Sequence, residues 1–227
     1  LRDKSFPTVD VSDPLKLSRE ESELVRILQS SFRHSGRLRQ HIKFIYDHGG
    51  MYRKINGNLL YHGCIPLNDD GSFREITLPF ADCAGKTFHG KALLDRIEQE
   101  VRSAYFSPNG TKEQKEAADF MWYLWCGADS PLYGKDKMAF FERTFLGKEA
   151  AELCTEHYEP YYSHTNDASV CEMILEEFGL DKRRGHIVNG HVPVLRCDGE
   201  SPIKAGGKLF VIDGGISKAY RVKTGIA

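Results

Sequence analysis

Twice the sequence ends an apolar run on a histidine with glycine beside it. In "NLLYHGC" (58–64), Leu59, Leu60 and Tyr61 lead to His62 and Gly63; in "HIVNGHV" (186–192), Ile187 and Val188 lead through Asn189 and Gly190 to His191. A third run, "LFVIDGG" (209–215), ends at Asp213 on the same plan. Neutral imidazole is a common ligand for zinc, manganese and iron, and the carboxyl ends of strands are where side chains converge on ligands. Glycine at such a place lets backbone approach an ion or a phosphate with no Cβ in the way. The chemistry implied is a divalent metal held by His62 and His191, with Gly63, Asn189, Gly190 and Asp213 lining the site. The same pattern also suits hydrogen-bonded structural histidines. Asp213 reads as a ligand, as an acceptor for an imidazole N–H, or as a turn residue. The other seven histidines (His34, His41, His48, His89, His157, His164 and His186) lack the pattern and read as solvated or capping residues.

Strands must carry these tips. Asn56 to Leu67 reads as a strand leaving a turn, "GHIVNGH" and "GGKLFVIDGG" as two more, "SKAYRVKTG" as a further one, and Ile76 to Leu78 as a short one. Helices surround them. Ser18 stands three residues before Glu21, the spacing of a capping box. It opens a helix with Leu24, Ile27 and Leu28 on one face, running through Leu38, Ile42 and Ile45 to Gly49–Gly50, with Gly36 as a kink or a division. "GKALLDRIEQEVRSAYF" carries the stripe Leu93, Leu94, Ile97, Val101 and Tyr105 and stops at residues 107–110. "TKEQKEAADFMWYLWCG" forms a second helix, Lys137 to Leu146 a short one, and "DASVCEMILEEFGL" a last one with Val170, Ile174 and Phe178 buried. Residues 1–17 are an extended lead-in. Helices followed by short strands imply a mixed α/β or α+β architecture.

Composition narrows the rest. The chain has 227 residues, 41% hydrophobic and 28% charged, enough for one large globular core. The formal net charge of −1 supplies no global field for nucleic acid or an anionic membrane. The basic stretch "RHSGRLRQHIK" (33–43) spreads around a helix's polar face, so no nucleic-acid partner is expected. With no apolar run near the roughly 20 residues needed to span a bilayer and no signal peptide, a cytoplasmic protein without a membrane partner is expected. The six cysteines contain no C-x-x-C pair and read mostly as buried, reduced thiols. Trp122, Tyr123, Trp125 and Tyr133 suit packing between helices and sheet, or the wall of a sugar pocket.

Taken with the stretches "NGNLLYHGCIPLNDDG", "WYLWCGADSPLYGK", "FERTF", "VNGHVPV" and "PIKAGGKLFVIDGGISKAYRVKTGIA", the chain resembles the class III fructose-1,6-bisphosphatases of Firmicutes and Bacteroidetes. These belong to the calcineurin-like metallophosphoesterases. The resemblance runs along most of the sequence. It implies part of a β-sandwich flanked by helices, with 18–227 as the later portion of the phosphatase domain and a helical insertion at about 84–180. It implies a pair of divalent metals, manganese first among them, to which His62 and His191 contribute. The implied reaction removes the 1-phosphate of fructose 1,6-bisphosphate in gluconeogenesis. The superfamily's earlier blocks, D-x-H, G-D-x-x-D-R and G-N-H-[DE], are not in these residues. The chain is therefore expected to be incomplete and inactive alone, with the missing amino-terminal portion or a second copy as partner. For the substrate's distal phosphate, Lys135, Arg143, Lys218 and Arg221 are candidates, each also readable as a solvated charge. The rival readings are a metallophosphatase for another phosphoester and a non-catalytic interaction or regulatory module of the same fold.

Overall fold

The computed structural model describes residues 4–214 together with Lys218 and Thr224. In chain order the described elements are α1 (Arg19–His34), α2 (Gly36–His48), β1 (Tyr52–Ile55), β2 (Asn58–Tyr61), α3 (Gly90–Phe106), α4 (Lys112–Cys126), α5 (Phe140–Phe145), α6 (Ala151–Cys154), α7 (Ala168–Glu177), β3 (Ile187–Asn189), β4 (Ile203–Lys204) and β5 (Leu209–Val211). They divide between two compact units, Leu1–Gly49 with Ala139–Thr155, and Gly50–Met138 with Glu156–Ala227.

In the first unit the capping box forms as read: the Ser18 hydroxyl accepts from Glu21 N, and the Glu21 carboxylate accepts from Ser18 N at 2.7 Å. The division between α1 and α2 falls at Ser35, whose hydroxyl accepts from Leu38 N and restarts the helix, and Gly36 is simply the first residue after it. The apolar face of this segment is not buried. No residue of α1 or α2 is buried, and Leu24, Phe32, Phe44 and Ile45 are 57%, 69%, 64% and 63% exposed. Amphipathic spacing tells which face of a helix is apolar; it does not supply the element that covers it.

The second unit holds the sheet, ordered β1-β2-β3-β5-β4. Strands β2, β3 and β5 run parallel, with Tyr61, Asn189 and Val211 level with one another, so all three end along one edge. Strands β1 and β4 lie antiparallel at the margins. Alternation of side chains sends Leu59, Tyr61, Ile187, Leu209 and Val211 to one face, where Val170, Cys171, Ile174 and Leu175 of α7 pack on them with Phe178 beyond its end. Helix α7 is capped by Asp167, which accepts from Ser169 N and Val170 N. A second cluster joins Leu93 and Ile97 of α3 to Phe120 and Leu124 of α4.

The opposite face carries a level row, Arg53, Leu60, Val188, Phe210 and Ile203, apolar in all but the first position and only half-buried at its centre. Among the described residues there is one mixed sheet and no second one to complete a sandwich. The strand expected at Ile76 to Leu78 is a single bridge, Ile76 to Phe88. The strand read in "SKAYRVKTG" falls, apart from Lys218 and Thr224, outside the described residues. No helix among the described residues is long and apolar enough to cross a membrane. All six cysteines are free thiols, with Cys64, Cys83 and Cys171 buried. Trp122 and Trp125 do not pack between helices and sheet: they are 67% and 59% exposed, with their rings tilted 57° to one another at 5.1 Å.

Candidate functional site

The shared edge of β2, β3 and β5 brings together residues that lie 129 apart in the chain: His191 Nδ1 stands 3.3 Å from His62 Nε2. The two rings meet edge to face, with centroids 5.1 Å apart. Both are reachable from solvent, His62 more than His191, while the backbone below them is buried.

Each ring is held by a different device. Asn189, 2% exposed at the end of β3, donates through Nδ2 to the carbonyls of Tyr61, His62 and Gly63 at 3.3, 3.1 and 2.7 Å. It thereby clamps the chain that carries His62. Gly190 N donates to His62 O at 3.2 Å, and a Cβ at Gly190 would sit 3.1 Å from His62 Nδ1. His191 adopts φ +69°, in the left-handed region, which costs a non-glycine residue about 1–2 kcal/mol. Such strain persists where surrounding contacts impose it, and sites of function are where it collects. Asn189→Leu removes the clamp and leaves three carbonyls without it. Urea unfolding should show a loss of about 2–3 kcal/mol, and a change under about 0.5 kcal/mol would contradict that role.

The contact imposed on His191 comes from the loop at residues 128–135. His191 Nε2 lies 2.9 Å from the carbonyl oxygen of Tyr133. A carbonyl only accepts, so Nε2 carries the proton and, in the neutral ring, the Nδ1 lone pair points at His62. The hydrogen-bond network assigns this tautomer. With His62 Nε2 facing it, either a proton or a cation must lie between the two nitrogens. Burial, and secondarily the charge His191 can carry, pull the His62 pKa below its ordinary value, against the opposing pull of Asp213. A neutral ring is the form that binds metal.

Gly63 serves a purpose other than the one expected of it. A Cβ there would lie 1.8 Å from Pro131 O and 3.1 Å from Leu132 Cα. The glycine lets the 128–135 loop press onto the end of β2, where Pro131 O accepts from Cys64 N at 2.8 Å. Sequence reading placed that loop next to the chemistry only as a possible phosphate clamp. Its backbone turns out to form the wall behind both histidines.

The two imidazoles fit a divalent cation as far as they go, because donors 3.3 Å apart can each reach one ion through bonds of about 2.0–2.3 Å. They make half a site. Among the described residues no three His, Cys, Asp or Glu side chains are grouped to hold an ion. Asp213, half-buried beyond β5, is near enough to act on His62 through its charge.

The phosphate candidates do not gather at this edge as a set. Lys135 Nζ is 2.8 Å from Glu156 Oε2 and lies over the rings of Tyr133 and Tyr158, so its charge is already engaged. Burial opposes that charge, but the bond to Glu156 outweighs it and leaves the Lys135 pKa raised. Arg143 lies on α5 in the other unit. Lys218 is exposed, and Arg221 falls outside the described residues. Of the remaining histidines, His34 pairs with Ser30 O, His89 with Glu75, His157 with Asp136, His164 with Asp69 O, and His186 with Gly207 O.

The whole chain, residues 1–227, matches the family model described as Firmicute fructose-1,6-bisphosphatase. Fructose-1,6-bisphosphatase class 3 of Clostridium acetobutylicum is 50% identical over 227 residues, covering 100% of this chain and 33% of its own length. The proteins of the same name from Bacteroides fragilis and Clostridium botulinum are 49% and 50% identical over the same shares. This chain therefore spans about a third of the length of the curated relatives it matches. No solved structure matches it.

Proposed function

Because the chain belongs to the Firmicute fructose-1,6-bisphosphatase family, we propose that it works as part of a longer divalent-metal phosphatase. That enzyme removes the 1-phosphate of fructose 1,6-bisphosphate, and His62 and His191 are its share of the metal ligands. The single observation that carries the reading is the 3.3 Å approach of His191 Nδ1 to His62 Nε2 at the tips of adjacent parallel strands.

In this reading His62 and His191 would help hold the metals, manganese first among candidates, which would supply charge neutralisation for the phosphate and an acidified water near neutral pH. Water adds at phosphorus, the phosphorus–oxygen bond to the sugar breaks, and the departing sugar oxygen takes up a proton. The residues of this chain do the positioning. Tyr133 O keeps the proton on Nε2 of His191, and Asn189 fixes the backbone under His62. The carboxylate ligands come from the rest of the polypeptide. A calcineurin-like sandwich would cover the half-buried row of Leu60, Val188, Phe210 and Ile203 with its second sheet, and cytoplasmic metabolism suits such an enzyme.

The test is phosphate release by the full-length protein with Mn²⁺, comparing fructose 1,6-bisphosphate with a phosphoserine peptide and a dinucleotide. The sugar bisphosphate should be preferred by about a hundredfold or more, a discrimination of roughly 3 kcal/mol. Equal rates would assign another phosphoester. The lack of a clustered carboxylate among the described residues favours a second reading, a binding module without chemistry. Full-length protein that is inactive and takes up no Mn²⁺ or Zn²⁺ would establish it.

A further inference from the structure

We propose that Arg74 is a positioning residue for His191, acting through the loop at residues 128–135; the inference rests on the metal-site reading above. Arg74 Nη2 forms ion pairs with Asp129 Oδ1 at 3.0 Å and with Glu159 Oε1 at 3.2 Å. Asp129 opens the loop and stands at φ +62°, a left-handed turn conformation that Asp tolerates better than most residues. Glu159 holds the other end: its backbone N donates to Gly134 O at 3.0 Å. Its carboxylate is itself fixed, accepting from Leu67 N at 2.8 Å and Tyr161 N at 2.7 Å. One guanidinium thus ties together the two ends of the loop whose middle supplies Tyr133 O to His191 and Pro131 O to the chain beside Gly63.

Stability alone is a poor reason for this arrangement. The Glu159 side chain is 4% exposed, and burial pushes its carboxyl above the ordinary value despite its two backbone donors. Arg74 Nε is buried with no partner among the described residues. Buried pairs of this kind often return no net stability compared with apolar packing, whereas they do fix geometry. Ser130 adds to the rigidity from within: its buried hydroxyl donates to Leu124 O and accepts from Leu132 N.

The experiment compares the full-length protein with its Arg74→Met and Asp129→Asn variants, reading the ¹⁵N ring signals of His191 without metal and the affinity for Co²⁺ as probe. The wild-type ring should show one tautomer, protonated at Nε2. In both variants the ring signals should move toward the average of two tautomers. The affinity for Co²⁺ should fall roughly ten- to a hundredfold, the usual consequence of losing the support behind a metal ligand. Ring signals and affinity unchanged within about twofold in folded variants would overturn the proposal, even if the melting temperature fell. Should Arg74→Met fail to fold, Asp129→Asn, which keeps the shape of the side chain, decides by the same two readouts. If the full-length wild-type protein takes up no Co²⁺, the metal reading fails, and the tautomer readout still decides whether Arg74 orders His191.

Discussion

His62→Ala in the full-length protein should lower phosphate release and metal affinity at least about a hundredfold, beyond what loss of an outer-shell support costs. His191→Ala should do the same. The expectation follows from the spacing and from the tautomer. The Tyr133 carbonyl leaves His191 Nδ1 as the free donor, and that donor faces His62 Nε2 at 3.3 Å. Removing either ring leaves a single imidazole at the sheet edge, and a single imidazole does not fix an ion against water. His164→Ala is the control, since that half-buried ring stands away from the histidine pair and spends its Nε2 on Asp69 O at 3.0 Å. It should retain activity within about twofold, as surface changes away from such features usually do. Full activity in either His62→Ala or His191→Ala would detach the histidine pair from the reaction.

Gly63→Ala should unfold the protein more than any other single-methyl addition along this edge. The added Cβ would stand 1.8 Å from Pro131 O and 2.9 Å from the carbonyl carbon, and neither atom is the loose end of a side chain. Gly63 is not among the residues with positive φ, so the penalty is contact, not torsion. Forcing the loop away breaks the hydrogen bond from Cys64 N and drags Tyr133 O from His191. A loss of about 3 kcal/mol or more is expected, at the upper end for overpacking. Differential scanning calorimetry should register it as a melting temperature lower by roughly 6–12 °C for a chain of this size. Gly57→Ala offers the contrast, because at φ +80° it meets nothing within 4 Å and so suffers from torsion alone. A Gly63→Ala protein that melts with the wild type would mean the loop does not rest on β2.

The histidine pair was legible because strand ends carry a readable grammar: an apolar run of period two, then a polar residue, then glycine. That grammar marked His62, Asn189, His191 and Asp213 as strand-end residues, and the parallel register of β2, β3 and β5 is what brings the two histidines together. The supporting network was not legible. Arg74, Asp129 and Glu159 are separated in sequence and touch only because three loops converge, and the decisive acceptor is a backbone carbonyl, which has no letter of its own. Glycine 63 was found for the wrong reason. The sequence shows that a Cβ is missing but not which neighbour fills the space. The helices were legible in outline, and so was the cap at Ser18; the Asp167 cap came from the structure. The exposure of the tryptophans of α4 was not legible, since an apolar face is marked in sequence whether or not anything covers it.

Anomalous diffraction from crystals of the full-length protein grown with Mn²⁺ tests the central claim most directly. The account predicts a peak bonded to both His62 Nε2 and His191 Nδ1, about 2.0–2.3 Å from each, with Nε2 of His191 still hydrogen-bonded to Tyr133 O. Manganese bound elsewhere, with the two imidazoles hydrogen-bonded only to one another, would contradict it.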